Sequence, residues 1–371
     1  NNVAVGQNAL ALNTTGEQNV AVGSNALDAN TTASNNTAVG RSALGANTTG
    51  ASNTALGRKA LEANTTASNN TAVGADALND NTTGDENTAV GRNTLAVNTT
   101  GENNTSVGAY ALQSNTTASY NTAFGYDALG DNTTGANNVA VGHDALKLNT
   151  TGGNLVAIGI NALDANTTAS NNTAVGGFAL SSVTTNSPNT AVGTYSLALN
   201  TGVRNTAVGY YTLYANTSGV NNSAFGDSAL ASNTTANNNS AFGYNGLAAN
   251  TTGAQNTAVG VYVLDANTTG YNNTSMGYNS LSTNITGIDN TAVGKSALNE
   301  NTASNNTAVG SDAMEKNTTG GNNTSVGKNA LKANTTGDYN VAVGAYALDA
   351  NTDGGTNIAV GYAALGSNTS G

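Results

Sequence analysis

Three observations on this chain predict an all-β fold, a parallel β-solenoid (β-roll or β-helix) with one coil per repeat. First, a seventeen-residue unit, Asn-Thr-Ala-Val-Gly-x-x-Ala-Leu-x-x-Asn-Thr-Thr-Gly-x-x, recurs 22 times in 371 residues. A period of this size is the signature of a stacked array. Second, two positions of the unit hold apolar residues throughout while their neighbours vary. Third, β-branched residues alternate with Gly and Asn, and no stretch of ten good helix formers lies between breakers.

The Asn before Thr-Ala-Val-Gly is position one. Residues two to four read as a short strand, with two and four on one face and three on the other. Position four is Val in most repeats, otherwise Leu56, Phe124, Ile158, Phe225, Phe242 or Met276. Position nine is Leu, except for Met314. These two positions are the expected apolar anchors, buried and stacked on their counterparts one repeat away. Position three (Ala or Ser) and position five (Gly) keep the opposite face small, as a close approach by another backbone would require. Gly and Asn supply the corners between strands. Coils stacked ~4.8 Å apart would make 22 repeats a rod of roughly 105 Å, burying a continuous Val–Leu column that no single coil could bury.

Asn is almost as constant as the anchors. Only Leu155 replaces it at position one and only Val183 at position twelve. Asn tolerates a left-handed corner and its amide both donates and accepts, so stacked copies can form hydrogen-bonded ladders. A second use of position twelve is N-glycosylation, because eighteen of these Asn begin an Asn-x-Thr/Ser sequon. They are Asn13, Asn30, Asn47, Asn64, Asn81, Asn98, Asn115, Asn132, Asn149, Asn166, Asn216, Asn233, Asn250, Asn267, Asn284, Asn317, Asn334 and Asn368. The pattern is broken at Val183, Asn200, Asn301 and Asn351. Two repeats are one residue short, both in the Asn-Thr-Thr corner (Asn200-Thr201-Gly202 and Asn301-Thr302-Ala303), which marks that corner as an exposed turn. Pro188 falls beside a corner, where a missing N–H is tolerable.

Composition narrows the function. Charged residues make up 8% of the chain, with ten Lys and Arg and a formal net charge of −11. Such scattered cations form no basic patch, so nucleic acid is not an expected partner. There is no Cys, hence no disulfide framework. No apolar run approaches the eighteen or so residues of a membrane span. His143 is the only His and has no nucleophile arranged around it. Asp28, Asp76, Asp80, Asp144 and Asp227 fall at variable positions, not in the Asp-rich Gly repeats of calcium-binding β-rolls. The Gly residues lack the strand–loop–helix context of a phosphate cradle. Neither an enzyme nor a cofactor or metal protein is expected.

Two outward features could engage a partner. Ten of the fourteen Tyr occupy positions six and seven: Tyr110, Tyr126, Tyr195, Tyr210, Tyr211, Tyr244, Tyr262, Tyr278, Tyr346 and Tyr362. Surface Tyr can stack on sugars or fill an interface. Position thirteen carries a Thr row broken only by Ile285, which could order water or engage ice or a crystalline polysaccharide.

The blocks Asn36–Leu44 and Asn70–Leu78 resemble the head repeats of trimeric autotransporter adhesins, and the seventeen-residue unit is similar to the shafts of phage tail-fibre-like proteins. The adhesin repeat is shorter, ~14 residues, and lacks the Asn-Thr-Thr-Gly insert. The resemblance extends over all 371 residues and implies a left-handed parallel β-roll with three chains side by side on a bacterial surface. The sequence therefore points to a non-enzymatic, extracellular or cell-surface structural and adhesive fibre protein. Expected partners are its own copies, as a fibre or homotrimer, and glycans or a host surface. An ice- or polysaccharide-binding solenoid using the Thr row is the alternative. Residues 1–371 form a single repeat array whose end repeats match the internal ones, so it is expected to lack caps and to continue into a longer stalk or filament.

Overall fold

Each repeat contributes one three-residue strand followed by turns and bends. A computed structural model describes residues 1–370, which divide into two units, one of residues 1–188 and one from residue 189 onward. The first unit stacks β1 (Val3–Val5) to β11 (Thr173–Val175), and the second stacks β12 (Thr190–Val192) to β22 (Ile358–Val360). Pairing within each stack is parallel and joins equivalent positions of successive repeats, as in Val20↔Thr37, Ala21↔Ala38 and Val22↔Val39. Among the described residues there is no helix. The seventeen-residue coil and the β-solenoid fold are thus as the periodicity predicts.

The inside of the coil is not as predicted. Ala38 and Leu44 are fully buried, whereas Val39 is half-exposed. The expectation that position four is a core anchor is overturned. Positions two and four face outward together, and the small residue between them faces in. The reason is space. Leu at nine and Ala at eight, both buried, fill the interior from the far wall, and only Ala or Ser fits between them and the strand. The small face is therefore the inner wall of a thin coil, one of the two settings that could demand it.

Position nine bears a backbone cost in every coil. Leu27, Leu44 and Leu61 have φ of 51°, 50° and 54°. An L-residue in the left-handed region costs about 1–2 kcal/mol, while burying a Leu side chain completely returns about 2–3 kcal/mol. The turn also aims Leu27 N at Ala43 O of the next coil, 3.1 Å away. Burial outweighs strain, which explains why only Met replaces Leu here. Positions seven and seventeen are left-handed too, for example Asn25 and Asn35, and are held mostly by Asn, Asp, Ser and Tyr.

Gly at position five is required twice over. Gly40 has φ of 137°, and a Cβ there would lie 2.4 Å from Gly57 O of the next coil. Its own N–H donates to Val22 O of the preceding coil at 2.8 Å. The turn after the strand can follow its neighbour this closely only without a side chain.

Candidate interaction surfaces

In most repeats the two Asn converge on one carbonyl inside the coil. In the third repeat, Asn36 Nδ2 and Asn47 Nδ2 each donate to Gly50 O, both at 2.9 Å. Asn47 Nδ2 also donates to Asn30 Oδ1 of the preceding coil at 3.2 Å, and Asn36 N donates to Asn19 Oδ1 at 3.0 Å. Two amide ladders thus run along each stack, one through position one and one through position twelve. The backbone of the corner cannot satisfy itself in a coil this thin, and the amides close the hydrogen-bond account.

This geometry places the sequons. Of the eighteen, all but Asn13 and Asn368 are fully buried. A nitrogen that is buried and already donates two hydrogen bonds has no room for a sugar in the folded chain. Asn13 and Asn368 are half-exposed, though Asn13 Nδ2 still donates to Gly16 O at 3.0 Å. In the folded chain the buried amides of position twelve are engaged in the corner.

The Thr row at position thirteen also stitches coils together. Thr48 Oγ1 donates to Thr65 O at 3.0 Å and Thr99 Oγ1 to Thr116 O at 3.0 Å, a pattern repeated along both units. Those hydroxyl protons are donated to the backbone of the next coil. At position fourteen, Thr49 and Thr100 are exposed and present their side chains to solvent.

The predicted Tyr cluster in four groups. Tyr110 packs edge-on against Tyr126, whose ring stacks on His143 at 5.1 Å, and Arg92 caps Tyr110 at 4.7 Å from the ring centre. Tyr195, Tyr210 and Tyr211 join Tyr214, which lies outside positions six and seven, in a four-ring cluster. Tyr244, Tyr262 and Tyr278 form an edge-to-face row, and Tyr346 meets Tyr362. His143 is exposed and sits 3.0 Å from Asp144. Burial raises the Asp164 and Asp265 carboxyls above the usual carboxylate range. Among the described residues no three His, Asp or Glu are grouped as metal ligands.

Sequence reasoning missed the outward strand face. Position four is apolar in all 22 repeats, and neither position two nor position four carries a charge anywhere in the chain. In the first unit Leu56, Phe124 and Ile158 stand 45%, 55% and 38% exposed on this face, and in the second Phe242 and Met276 stand 41% and 43% exposed. The signal that could have revealed it is position three. In a thin coil the smallest constant residue marks the inside, so a large apolar neighbour two atoms' turn away must point out. No protein-family model matches this chain, and no curated protein matches it.

Proposed function

We propose that this chain is a non-enzymatic structural fibre protein of the cell surface or extracellular space, whose copies associate side by side through the outward strand face. One observation carries the reading: an apolar, charge-free stripe repeated on every coil of each unit. Solvent-facing strands of solitary proteins are ordinarily marked with charge against association. At roughly 50 Å² per coil, eleven coils expose about 550 Å² at position four alone, and position two brings this towards the ~800 Å² each partner gives to a standard interface. A surface with a fixed coil-to-coil repeat is matched by another with the same repeat, which favours a second copy. The resemblance to adhesin and tail-fibre shafts agrees with this reading.

Sedimentation equilibrium tests it. The chain should run as a defined oligomer, and replacing Val73, Val90 and Val107 together by Lys should release monomers that keep their β signal. A wild-type chain that is monomeric at tens of micromolar would sink the proposal.

A further inference from the structure

The second unit carries a group of four phenol rings that side-by-side packing does not explain. Tyr211 is its hub. Its ring centre lies 4.5 Å from that of Tyr210, 4.7 Å from Tyr214 and 5.1 Å from Tyr195, at interplanar angles of 56°, 34° and 49°. Tyr195 and Tyr211 hold the same position of successive coils, and both have left-handed backbones, φ 59° and 53°, that turn their side chains along the same face. Tyr210 is 51% exposed and its neighbours are half-buried, so the group is open to small oxidants. The other Tyr pairs differ. Tyr110–Tyr126, Tyr244–Tyr262 and Tyr346–Tyr362 meet at 75°, 86° and 72°, edge to face.

A carbon–carbon bond between two phenol rings draws their centres closer than any of these distances and twists the rings by an intermediate angle; Tyr210 and Tyr214 share a coil with Tyr211, so Tyr195 is the neighbour through which such a bond ties two coils. We infer that Tyr195 and Tyr211 form an oxidative cross-linking site, in which a one-electron oxidant joins the two rings as dityrosine and ties adjacent coils covalently. Each phenol gives one electron and one proton to the oxidant, here hydrogen peroxide acting through a haem peroxidase. The two phenoxyl radicals carry spin at the carbons ortho to oxygen, and one bond forms between a Cε of Tyr195 and a Cε of Tyr211. The two ortho hydrogens then shift to the oxygens and restore both phenols. The product is two hydrogens lighter, and one peroxide becomes two waters. The coil stack holds the reacting rings together before oxidation, so the bond forms within one chain without the entropy cost of an encounter. This inference rests on ring geometry within one unit and stands apart from the fibre reading.

The sequence makes the test clean. Trypsin cuts after Lys147, Arg204 and Lys295, and Tyr195 is the sole Tyr of residues 148–204. The dilute folded chain is treated with horseradish peroxidase and substoichiometric peroxide, digested, and analysed by mass spectrometry and dityrosine fluorescence. The expected product is 148–204 joined to 205–295 less two hydrogens, in a yield independent of protein concentration. Tyr211→Phe should lower that product at least tenfold while Tyr214→Phe retains it, and both variants keep the ring that packing requires. A product that persists in Tyr211→Phe, or dityrosine found only between chains, would overturn the assignment. So would oxidation that only hydroxylates the separate peptides.

Discussion

Val183 stands where the next amide of the position-twelve ladder would donate to Asn166, and Asn166 Oδ1, fully buried, is left without a hydrogen-bond partner. Every earlier rung of that unit is closed, for example Asn166 Nδ2 to Asn149 Oδ1 at 2.8 Å. An orphaned buried acceptor costs about 1–3 kcal/mol. Val183→Asn should restore the rung and raise the local opening free energy of residues 149–188 by about 1–2 kcal/mol. Hydrogen exchange on the full chain reads this directly, since stacked repeats open locally rather than all at once. Unchanged or faster exchange at Asn166 and Thr167 in the variant would show that the gap is not a defect.

The short repeat makes the same point independently. Asn284 Oδ1 is also unpartnered, and the next coil is the one that lost a corner residue, so Asn301 Nδ2 reaches only Ala303 O at 2.9 Å. Inserting Thr after Thr302 should bring that rung back into register. The expected gain is again about 1–2 kcal/mol of local stability, read by exchange at residues 284–301.

Gly91 and Gly45 separate what a close approach demands from what a turn merely permits. Gly91 has φ of 142°, and a Cβ would meet Gly108 O at 2.5 Å, whereas a Cβ on Gly45 would find its nearest atom at 3.4 Å, an ordinary contact. Gly91→Ala should destabilise its coils by roughly 3 kcal/mol or more through strain and overpacking. Gly45→Ala should be neutral within about 0.5 kcal/mol. Thermal unfolding by circular dichroism distinguishes them, and equal effects from both would refute the close-approach reading.

Periodicity was enough to reveal the coil, because a repeat of this length with a three-residue β-branched block admits few other stacks. It was not enough to say which apolar position faces in. Val39 and Leu44 look equivalent by hydrophobicity, and what separates them is the width of the interior, which only Ala38 registers. The amide ladders were legible as corners because Asn departs only once at each of its two positions, at Leu155 and Val183. A sequon is a local pattern and does not register the burial of Asn47, which is set by Gly50 O and by Asn30 one coil away. Tyr214, at position ten, could not be assigned to the aromatic group from spacing, since the turn that brings it to Tyr211 exists only in the folded coil.

The Tyr groups should show themselves in alkali. Partial burial, with Tyr210 and Tyr214 alongside, raises the Tyr211 phenol above its ordinary value, and Tyr244 with some burial raises that of Tyr262. A raised folded-state value means the folded chain holds these protons more tightly than the unfolded chain, whose phenols ionise near pH ~10. Stability from these sites is therefore complete below that pH and is lost as pH rises through the folded-state values. Ultraviolet titration should give a phenolate curve with a late fraction, and Tyr211→Phe should remove part of it. A single step at the free-phenol position would contradict this.

Asn98 offers the most direct test of why the position-twelve residue is constant. Its Nδ2 donates to Asn81 Oδ1 at 2.8 Å and to Gly101 O at 2.9 Å, and its Oδ1 accepts from Asn115 Nδ2 at 2.9 Å. Asn98→Ala removes all three bonds and leaves Asn81 Oδ1 buried without a donor. The expected cost is about 2–4 kcal/mol, combining lost bonds with an orphaned acceptor. Asn98→Asp keeps the shape and the bond from Asn115 but buries a charge beside Asn81 Oδ1, so it should be at least as harmful at neutral pH and recover on acidification. A glycan-acceptor role predicts the opposite pattern, with both changes tolerated by the unglycosylated chain. Expression in a host without N-glycosylation, followed by chemical denaturation of the two variants, separates the two explanations. If both unfold like the parent chain, the ladder is not what keeps Asn in place.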